Sequence, residues 1–420
     1  MKHALLKLFH LISFAAVFCL AGFGADNFSA LAGLRNSVAS FDDEIPAVRT
    51  GGTDESRAPV FRGQIPRVAF SDTNRISDYI AALINGSKTS VDVAIYGLSL
   101  PAVAEALVNA KNRGVVVRVI MNQSHVFPKT SPEIQRLIDC GVNMRILRGT
   151  GKWGIMHNKI GIFDGKTLVM GSFNWANTAD TANFENAIFN TDPGIIQGYQ
   201  AYFDWMWALT KHISSGADTS EIPYGSYGRP PSDPTTPYYF NGVSFPRYVF
   251  SPVGGTEAAI ISAVNASQKT ISVCMYSFFS QNVADALLAA KNRGVSVFIV
   301  MDKLQAGSSA LTGFFASNGF NVRLSKGYAG KGVMHNKFAI FDNALMLTGS
   351  FNWSGSAENN NLENIMFSPF ASDINAYAVE FNKIYKQGYA PKAIELKPAT
   401  RMALDGGNPE AFIEDEEADS

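Results

Sequence analysis

The sequence has few cysteines, no large excess of charge of either sign, and no apolar run of transmembrane length beyond its first residues. Only 3 of the 420 residues are cysteine, which excludes a fold held together mainly by disulfides. Cys19 lies in a predicted export signal, and Cys140 and Cys274 stand at non-equivalent places in the chain. We expect these two to be buried free thiols, although export would permit a disulfide between them.

Charge is nearly balanced, with 35 basic and 36 acidic residues and a formal net charge of −1. Acidic residues are concentrated in the terminal run EDEEADS (414–420), so the rest of the chain is close to neutral. Such a chain lacks the strong positive field that dominates affinity for nucleic acids. The hydrophobic content of 46% and the charged content of 17% indicate a globular protein.

The first residues have the layout of a secretory signal peptide. Lys2 and Lys7 precede an apolar run from Leu8 to about Leu20, and small residues follow. The run is too short for a comfortable membrane span, although an uncleaved anchor is the alternative. We therefore predict a signal peptide over 1–25 and export to a periplasm or to the medium, with the cleavage point left open.

The chain contains an internal sequence repeat. MHNKIGIFDGKTLVMGSFNW at 156–175 returns as MHNKFAIFDNALMLTGSFNW at 334–353, and the copies extend over roughly 65–210 and 245–390. A period of this length indicates duplicated domains rather than a solenoid. The predicted division is an export signal (1–25), a loose segment (26–60), a first domain (61–213), a linker rich in Pro, Gly, Ser and Tyr (214–242), a second domain (243–392) and an acidic tail (393–420).

Each copy has the same pattern of strands and helices. The apolar runs SVDVAIYG and TISVCMYS are typical of buried strands, and each is followed by a helical pattern that ends at Gly114 or Gly294 and then by another strand. Strand, helix and strand with short connections predict an α/β fold with a largely parallel sheet. Asp164–Gly165 is a hairpin signal between two further strands.

The polar residues of the motif are retained while the apolar ones vary. His157 and Lys159 are two residues apart on a predicted strand and therefore share a face, and Ser172 and Asn174 do so on the returning strand. Glu185 follows 28 residues after His157. The second copy repeats the set as His335, Lys337, Ser350, Asn352 and Glu363.

These groups suit the cleavage of a phosphodiester. Lysine and asparagine can bind non-bridging oxygens and offset charge in the transition state. One neutral imidazole can attack phosphorus if a carboxylate fixes its tautomer, and a second can protonate the departing oxygen and later activate water. One site then needs two histidines in opposite protonation states. We therefore predict that the two domains pack face to face about a pseudo-twofold axis.

The pattern H-x-K-x4-D-x6-G-S-x-N, present at 157–174 and at 335–352, resembles the motif of the phospholipase D superfamily. The resemblance covers both copies and implies two α-β-α sandwich domains with one composite active site at their interface. It also implies a covalent phosphohistidine intermediate, no metal and no cofactor.

The resemblance further implies a role for each motif residue. His157, in the first copy, would be the nucleophile and His335 the acid/base. Glu185 and Glu363 would orient the two histidines. The phosphate would be held by Lys159, Lys337, Asn174 and Asn352, with Ser172 and Ser350 in support. Asp164 and Asp342 would hold the hairpins, and Gly171 and Gly349 would be structural parts of the motif.

Several other residues have two interpretations. Trp175 and Trp353 follow the motif asparagines and are expected in the core. The basic residues before each histidine are either ordinary surface charge or steer an anion to the site; they are Arg148, Lys152, Lys326 and Lys331. The aromatic stretches YSFFS (276–280) and PYYFNG (237–242) fit a lipid surface or simple packing. His125 has no counterpart in the second copy and receives no role.

The substrate is less well defined by sequence than the chemistry. Two motifs in one chain, export and a nearly neutral body favour a phospholipase acting on a phosphatidylcholine-like lipid at a membrane surface. A membrane-bound phosphatidyltransferase such as a cardiolipin synthase is disfavoured because no membrane segment follows the signal. The alternative is a metal-independent endonuclease. The sequence pattern MHNK…GSFNW…NxEN resembles that of small exported endonucleases, and aromatic residues can stack on bases. A binding module without catalysis is a third hypothesis, and no partner protein is implied.

Overall fold

Two mixed sheets with flanking helices form the fold, one sheet from each copy of the repeat. The computed structural model describes residues 63–213 and 227–396. The predicted signal, the loose segment 26–60, the linker residues 214–226 and the tail residues 397–420 lie outside the described residues. All described residues belong to one unit by their internal contacts, Ala58–Ser420.

The first repeat begins with a short edge strand and ends with a long helix. In chain order it forms β1 (Val68–Phe70), α1 (Ile76–Gly86), β2 (Ser90–Ile95), α2 (Pro101–Asn112), β3 (Val116–Asn122), α3 (Pro132–Asp139), β4 (Asn143–Leu147), β5 (Lys159–Phe163), β6 (Thr167–Gly171), α4 (Asn177–Thr181), β7 (Asn186–Asn190), α5 (Pro193–Leu209) and β8 (Lys211–His212). The second repeat follows the same order after a hairpin. It forms β9 (Tyr238–Phe240), β10 (Val243–Phe245), β11 (Tyr248–Ser251), α6 (Thr256–Ala266), β12 (Thr270–Met275), α7 (Gln281–Asn292), β13 (Ser296–Asp302), α8 (Lys303–Ser308), α9 (Leu311–Ser317), β14 (Asn321–Ser325), β15 (Lys337–Phe341), β16 (Leu345–Gly349), α10 (Gly355–Asn359), β17 (Glu363–Ser368) and α11 (Ala371–Gln387).

The sheets are mixed, so the prediction of a largely parallel sheet was wrong. The strand order is β1-β7-β6-β5-β2-β3-β4-β8 in the first sheet and β11-β17-β16-β15-β12-β13-β14 in the second. Only β2, β3 and β4, and their counterparts β12, β13 and β14, run parallel. On the other side of each sheet the strands pair antiparallel, and the tight turns that join β5 to β6 and β15 to β16 can connect only antiparallel neighbours. The α/β class and the duplicated architecture were predicted correctly.

Helices cover both faces of the first sheet. Alternate residues of β3 point to opposite sides, and Val117 and Val119 enter the core beneath α1, α2 and α3. Arg118, between them, lies on the other face, where its guanidinium stacks over Phe203 and Trp207 of α5 at 4.8 and 5.4 Å from the ring centroids. The layering is therefore helix, sheet and helix.

The second core extends into the segment that the sequence assigns to the linker. Phe240 of β9 and Phe245 of β10 are buried in that core, while Tyr239 is 71% exposed. The stretch YSFFS is largely buried, with Tyr276 and Phe278 inaccessible, so packing explains it. Trp175 and Trp353 are buried as expected. Both remaining thiols are free, but only Cys274 is buried and Cys140 is partly exposed.

The two repeats are joined by reciprocal backbone bridges. Met156 pairs with Leu362, and Met334 pairs with Phe184, each as an isolated parallel bridge. The segment before each motif histidine therefore adds a short strand contact to the other repeat. These two bridges bring both motifs to one interface.

Candidate active site

His157 lies immediately before β5 and is held by residues of the second repeat. Its backbone N–H donates to the Leu362 carbonyl at 3.0 Å. Its Nδ1 lies 2.9 Å from each carboxylate oxygen of Glu363, the first residue of β17. Both side chains are buried, at 1% and 0% exposure. The imidazole of the first repeat is thus oriented by a glutamate of the second.

His335 is held in the same way by the first repeat. Its backbone N–H donates to the Phe184 carbonyl at 3.0 Å. Its Nδ1 lies 2.8 and 2.9 Å from the two oxygens of Glu185. The predicted glutamates therefore do contact the histidines, and the structure shows that the pairs are crossed between the repeats.

The pKa values of the paired groups are shifted by their surroundings. Burial lowers the pKa of His157 well below its ordinary value of 6.5, and the charges of Lys159, Lys337 and His335 lower it further. Burial raises the pKa of Glu185 to about 7, against the lowering effects of Lys337, the Ser172 hydroxyl and other neighbours. A carboxylate at Nδ1 favours the proton on that nitrogen, and the lowered pKa keeps His157 neutral at neutral pH, although a hydrogen bond to the Ser350 backbone raises that pKa.

Two lysines supply the positive charge of the site. Lys159 Nζ donates to the His157 carbonyl at 2.8 Å, and Lys337 Nζ donates to the His335 carbonyl at 2.9 Å. Each side chain begins its strand and is only 1% exposed. A buried ammonium is costly unless it is compensated, and here the charges of both lysines lower the pKa of the buried Glu185, so that carboxyl offsets part of the cost.

The motif serines and asparagines follow the returning strands. Ser172 Oγ donates to Glu185 Oε2 at 2.6 Å and accepts from the Asn186 backbone N–H at 3.0 Å. Ser350 Oγ accepts from the Asn364 backbone N–H at 3.1 Å. Asn352 Oδ1 accepts from the Ser277 N–H at 3.4 Å, whereas Asn174 Oδ1 is buried without a partner within the described residues.

A comparison with known families agrees with this geometry. The family model described as cardiolipin synthase, PLD-like domain matches residues 80–207 and 260–385, more than half of the chain. The chain belongs to the phospholipase D superfamily. It carries two phospholipase D-like domains, as the two motifs predict, and it is a phosphodiesterase of this family.

Individual relatives support the same assignment. The chain is 32% identical to the mitochondrial cardiolipin hydrolase of Xenopus tropicalis over 151 residues, which are 35% of this chain and 70% of that protein. It is 36% identical to the phospholipase D of Rickettsia felis over 124 residues, 29% of this chain and 58% of that one. The structure of phosphatidylserine synthase from Haemophilus influenzae aligns with a TM-score of 0.60 at 14% identity, covering 80% of this chain and 90% of that one, and shows the shared fold.

The superfamily motif also contains residues that shape the backbone. A Cβ at Gly171 would lie 2.3 Å from the Asn186 carbonyl oxygen, and one at Gly349 would lie 2.0 Å from that of Asn364. Only glycine lets the returning strand approach the strand that carries the glutamate so closely. These glycines therefore support the site through the backbone.

The motif aspartates bind backbone N–H groups at the hairpin ends. Asp164, at a positive φ of 51°, accepts from the backbone N–H groups of Lys88, Thr89 and Ser90 at 2.8 to 3.0 Å. Although burial raises it, these donors bring the pKa of Asp164 below its usual range. Asp342 accepts in the same way from residues 268–270 at 2.7 to 2.8 Å. Both aspartates thus tie a hairpin to the start of a neighbouring strand.

Four asparagines that the sequence reasoning missed lie beside the catalytic pairs. Asn186 Nδ2 donates to Asn336 Oδ1 at 2.6 Å, and Asn364 Nδ2 donates to Asn158 Oδ1 at 2.8 Å. Both bonds cross from one repeat to the other. The signal was present, since each HNK and the EN pairs at 185–186 and 363–364 carry one of them.

Two strand ends position the residues before the histidines. Asn122 Oδ1, at the end of β3, accepts from the Met156 N–H at 2.9 Å, and Asp302 Oδ2, at the end of β13, accepts from the Met334 N–H at 2.9 Å. The two residues stand at equivalent places of the repeats, and sequence reasoning did not select them. Each histidine is therefore fixed by its own repeat and by the other one.

The basic loops before the histidines lie at the repeat interface. Thr150, in the loop with Arg148 and Lys152, donates its N–H to the Asn360 carbonyl at 2.7 Å. In the second repeat the loop that carries Lys326 and Lys331 packs against the other repeat, where a Cβ at Gly327 would lie 2.1 Å from the Ala182 carbonyl oxygen. Steering of an anion by these charges stays a prediction.

Neither metal-binding clusters nor membrane-spanning helices occur in the part of the chain that the structure describes. No group of three or more His, Cys, Asp or Glu side chains there is arranged to hold a metal ion. No helix over residues 63–213 and 227–396 is both long and apolar enough to cross a bilayer.

Proposed function

We propose that this phosphodiesterase hydrolyses phospholipids to phosphatidic acid and a head-group alcohol through a phosphohistidine on His157. Three observations support a lipid substrate. The matching family model is described as a cardiolipin synthase domain, the relatives are named cardiolipin hydrolase and phospholipase D, and the body of the chain is nearly neutral. Phosphatidylcholine and cardiolipin are the first substrates to test.

In the first step the neutral His157 attacks the phosphorus of the lipid. The lone pair of Nε2 forms the P–N bond while the P–O bond to the head group breaks. His335, with the proton of its pair with Glu185, protonates the departing oxygen so that the alcohol leaves neutral. Glu363 stabilises the cationic imidazole that develops on His157.

In the second step water replaces the histidine on phosphorus. His335 now accepts a proton from water, whose oxygen forms the new P–O bond as the P–N bond breaks. Phosphatidic acid leaves, and the proton returns to the His335–Glu185 pair. Lys159 and Lys337 offset the charge on the non-bridging oxygens in both steps, with the carboxamides of Asn174 and Asn352 as further ligands.

The crossed His–Glu pairs are the observation that carries this mechanism. His157 with Glu363 and His335 with Glu185 each need both repeats, and the two lysines carry buried positive charge beside them. Neither repeat alone contains an oriented histidine. The arrangement, together with the effect of the His335 charge on the pKa of His157, supports one site with two imidazoles rather than two separate sites.

The decisive experiment compares lipid with nucleic acid. Vesicles of labelled phosphatidylcholine or cardiolipin and, in parallel, single- and double-stranded DNA are incubated with the wild-type protein and with His157→Asn. We expect release of phosphatidic acid by the wild type only and intact DNA in both reactions. Cleavage of DNA by the wild type, lost in His157→Asn, with no lipid turnover would identify an endonuclease instead.

We also propose that the protein is exported through its N-terminal segment, as the pattern around Lys2 and Lys7 predicts. Residues 1–25 lie outside the described residues. N-terminal sequencing of the protein recovered from periplasm or medium tests this. A protein that keeps Met1 and stays inside the cell would contradict it.

A further inference from the structure

Two buried tyrosines contact the motif histidines in the same way in both repeats. The ring of Tyr96 lies edge-on to His157 with centroids 5.0 Å apart, and the ring of Tyr276 lies edge-on to His335 at 4.6 Å. Each tyrosine follows directly after the first parallel strand of its repeat, β2 or β12. Their exposures are 5% and 0%, so both tyrosines are buried beside the histidines.

The same two rings also contact the ammonium groups of the motif lysines. Lys159 Nζ lies 5.2 Å from the Tyr96 centroid, and Lys337 Nζ lies 4.7 Å from the Tyr276 centroid. These distances are within the range of a cation–π interaction, which is stronger where the ammonium is shielded from water. One ring thus contacts both the imidazole and the ammonium of its own repeat.

The backbone keeps each tyrosine in register with its motif. The Tyr96 N–H donates to the Asn158 carbonyl at 3.0 Å, and the Tyr276 N–H donates to the Asn336 carbonyl at 3.0 Å. These carbonyls belong to the residue between the motif histidine and the motif lysine. A tyrosine in this register faces both side chains at once.

The tyrosines themselves are supported by different residues in the two repeats. Gln305 Nε2 donates to the Tyr276 hydroxyl at 3.0 Å, and Ser277 Oγ donates to Gln305 Oε1 at 3.0 Å. At the equivalent places, each 180 residues earlier, the first repeat has Gly97 and His125. There the His125 ring packs edge-on against Tyr96 at 4.4 Å. Ser277 with Gln305, and Gly97 with His125, are thus two different supports for one ring.

We propose that Tyr96 and Tyr276 are positioning residues of the active site, which hold the ammonium and the imidazole of their repeats toward the substrate phosphorus. This inference rests on the proposed roles of the histidines and lysines. A lysine has four rotatable side-chain bonds, and a ring face that attracts its ammonium favours one of the many geometries. An edge-on ring also restricts rotation of the imidazole without hydrogen bonding to Nε2. His125 and Gln305 act on the site through these rings.

The test compares Tyr276→Leu with Tyr276→Phe, using bis(p-nitrophenyl) phosphate so that the result does not depend on the natural substrate. We expect Tyr276→Leu to lower kcat by about tenfold or more with a smaller change in KM, and to shift the pH profile. Tyr276→Phe keeps the ring and should restore kcat to within about threefold of the wild type. Tyr79→Leu is the matched control, because the Tyr79 ring also packs edge-on against an aromatic ring, that of Phe189 at 5.8 Å, rather than against a motif histidine.

A second readout does not depend on turnover. The imidazole resonances of His335, followed by NMR over a pH series, should titrate differently in Tyr276→Leu and as in the wild type in Tyr79→Leu. If the wild type cleaved no phosphodiester, the proposed function would fail, whereas this titration would still decide the inference. A folded Tyr276→Leu protein with wild-type kcat, pH profile and His335 titration would overturn it.

A transplant tests whether the two supports are equivalent. Gly97→Ser with His125→Gln introduces the second repeat's support beneath Tyr96, and a Cβ at Gly97 would meet nothing closer than 3.6 Å, in the His125 ring. We expect this double variant to retain kcat to within about threefold, and His125→Ala alone to lower it more. Loss of activity in the transplant equal to that in His125→Ala would show that His125 acts directly and would overturn its assignment as a support.

Discussion

The imidazole of His157 is oriented by the carboxylate of Glu363, which lies 206 residues further along the chain and in the other repeat. His335 and Glu185 form the reciprocal pair. Because each histidine takes its carboxylate from the opposite repeat, neither repeat has a complete catalytic set of its own. This relationship supports the proposal of one site shared by the two repeats, and a change in either half should then impair it.

Replacing either motif histidine alone should abolish turnover. His157→Asn removes the nucleophile, and His335→Asn removes the base that activates water in the second step, so each should reduce hydrolysis of bis(p-nitrophenyl) phosphate by at least about a thousandfold, as groups that act as a unit do. The double variant should be no slower than either single one. Half of the wild-type activity in each single variant would mean two independent sites.

The two glutamates should have distinct effects because the pairs are crossed. In Glu363→Gln the nucleophile His157 loses its anionic partner, so formation of the phosphohistidine should slow by about a hundredfold. In Glu185→Gln the acid/base His335 is impaired, while an activated p-nitrophenolate needs little help to leave. Rapid quench should then show labelled protein that accumulates in Glu185→Gln but not in Glu363→Gln. The reverse pattern would contradict the crossed assignment.

The pH profile of kcat/KM should be bell-shaped, with an acidic limb below pH 6.5. The lowered pKa of His157 keeps it neutral as the pH falls past its ordinary value of 6.5, and activity is lost only when that lowered pKa is reached. The alkaline limb reports loss of the proton shared by His335 and Glu185, whose carboxyl has its pKa raised to about 7. Glu185→Gln should move the alkaline limb and leave the acidic one. A flat profile from pH 5 to 9 would count against paired imidazoles.

The motif glycines should not tolerate a methyl group. A Cβ at Gly349 would lie 2.0 Å from the Asn364 carbonyl oxygen, so Gly349→Ala forces β16 and β17 apart next to Glu363. We expect a loss of about 1–3 kcal/mol in the free energy of unfolding, together with loss of activity. Gly86→Ala is the control, since a Cβ there meets nothing within 4 Å. Thermal unfolding measures both, and equal Tm values would contradict the packing argument.

A chelator should leave the rate unchanged. The positive charge that offsets the phosphate in the proposed mechanism comes from Lys159 and Lys337, both buried beside the histidines. Initial rates with and without EDTA, after exhaustive dialysis, provide the measurement. A steep loss that added metal restores would refute the proposed source of charge.

Much of the site could be predicted from the sequence because it depends on local spacing. Side chains two residues apart on an extended chain lie on one face, so the spacing of His157 and Lys159 predicted that they share a face. The turn at Asp164 was predictable because Asp-Gly is a common pair where a turn needs a positive φ, and Asp164 has one. The burial of Trp175 was likewise predictable from its place beside an apolar strand. Such features are short-range, so a single copy of the motif contains them.

The mixed sheet was only partly predictable. The helical pattern that ends at Gly114 correctly indicates parallel strands on either side of it, because a helix between two strands allows them to run the same way. The tight turn after Phe163 imposes antiparallel pairing of β5 with β6, and antiparallel pairs outnumber parallel ones in this sheet. The sequence contained both the strand–helix–strand pattern and the turn signal, and the prediction gave too much weight to the strand–helix–strand pattern.

The sequence by itself determined that two identical sets of His, Lys, Ser, Asn and Glu exist and which chemistry they suit. It did not determine that His157 would meet Glu363 rather than Glu185, because the two glutamates have nearly the same neighbours in the chain and no local rule distinguishes them. Only the tertiary structure decided this, through the backbone bridges of Met156 to Leu362 and of Met334 to Phe184. These bridges place each histidine beside the strand of the opposite repeat, and packing between distant segments, unlike spacing along a strand, leaves no period in the sequence.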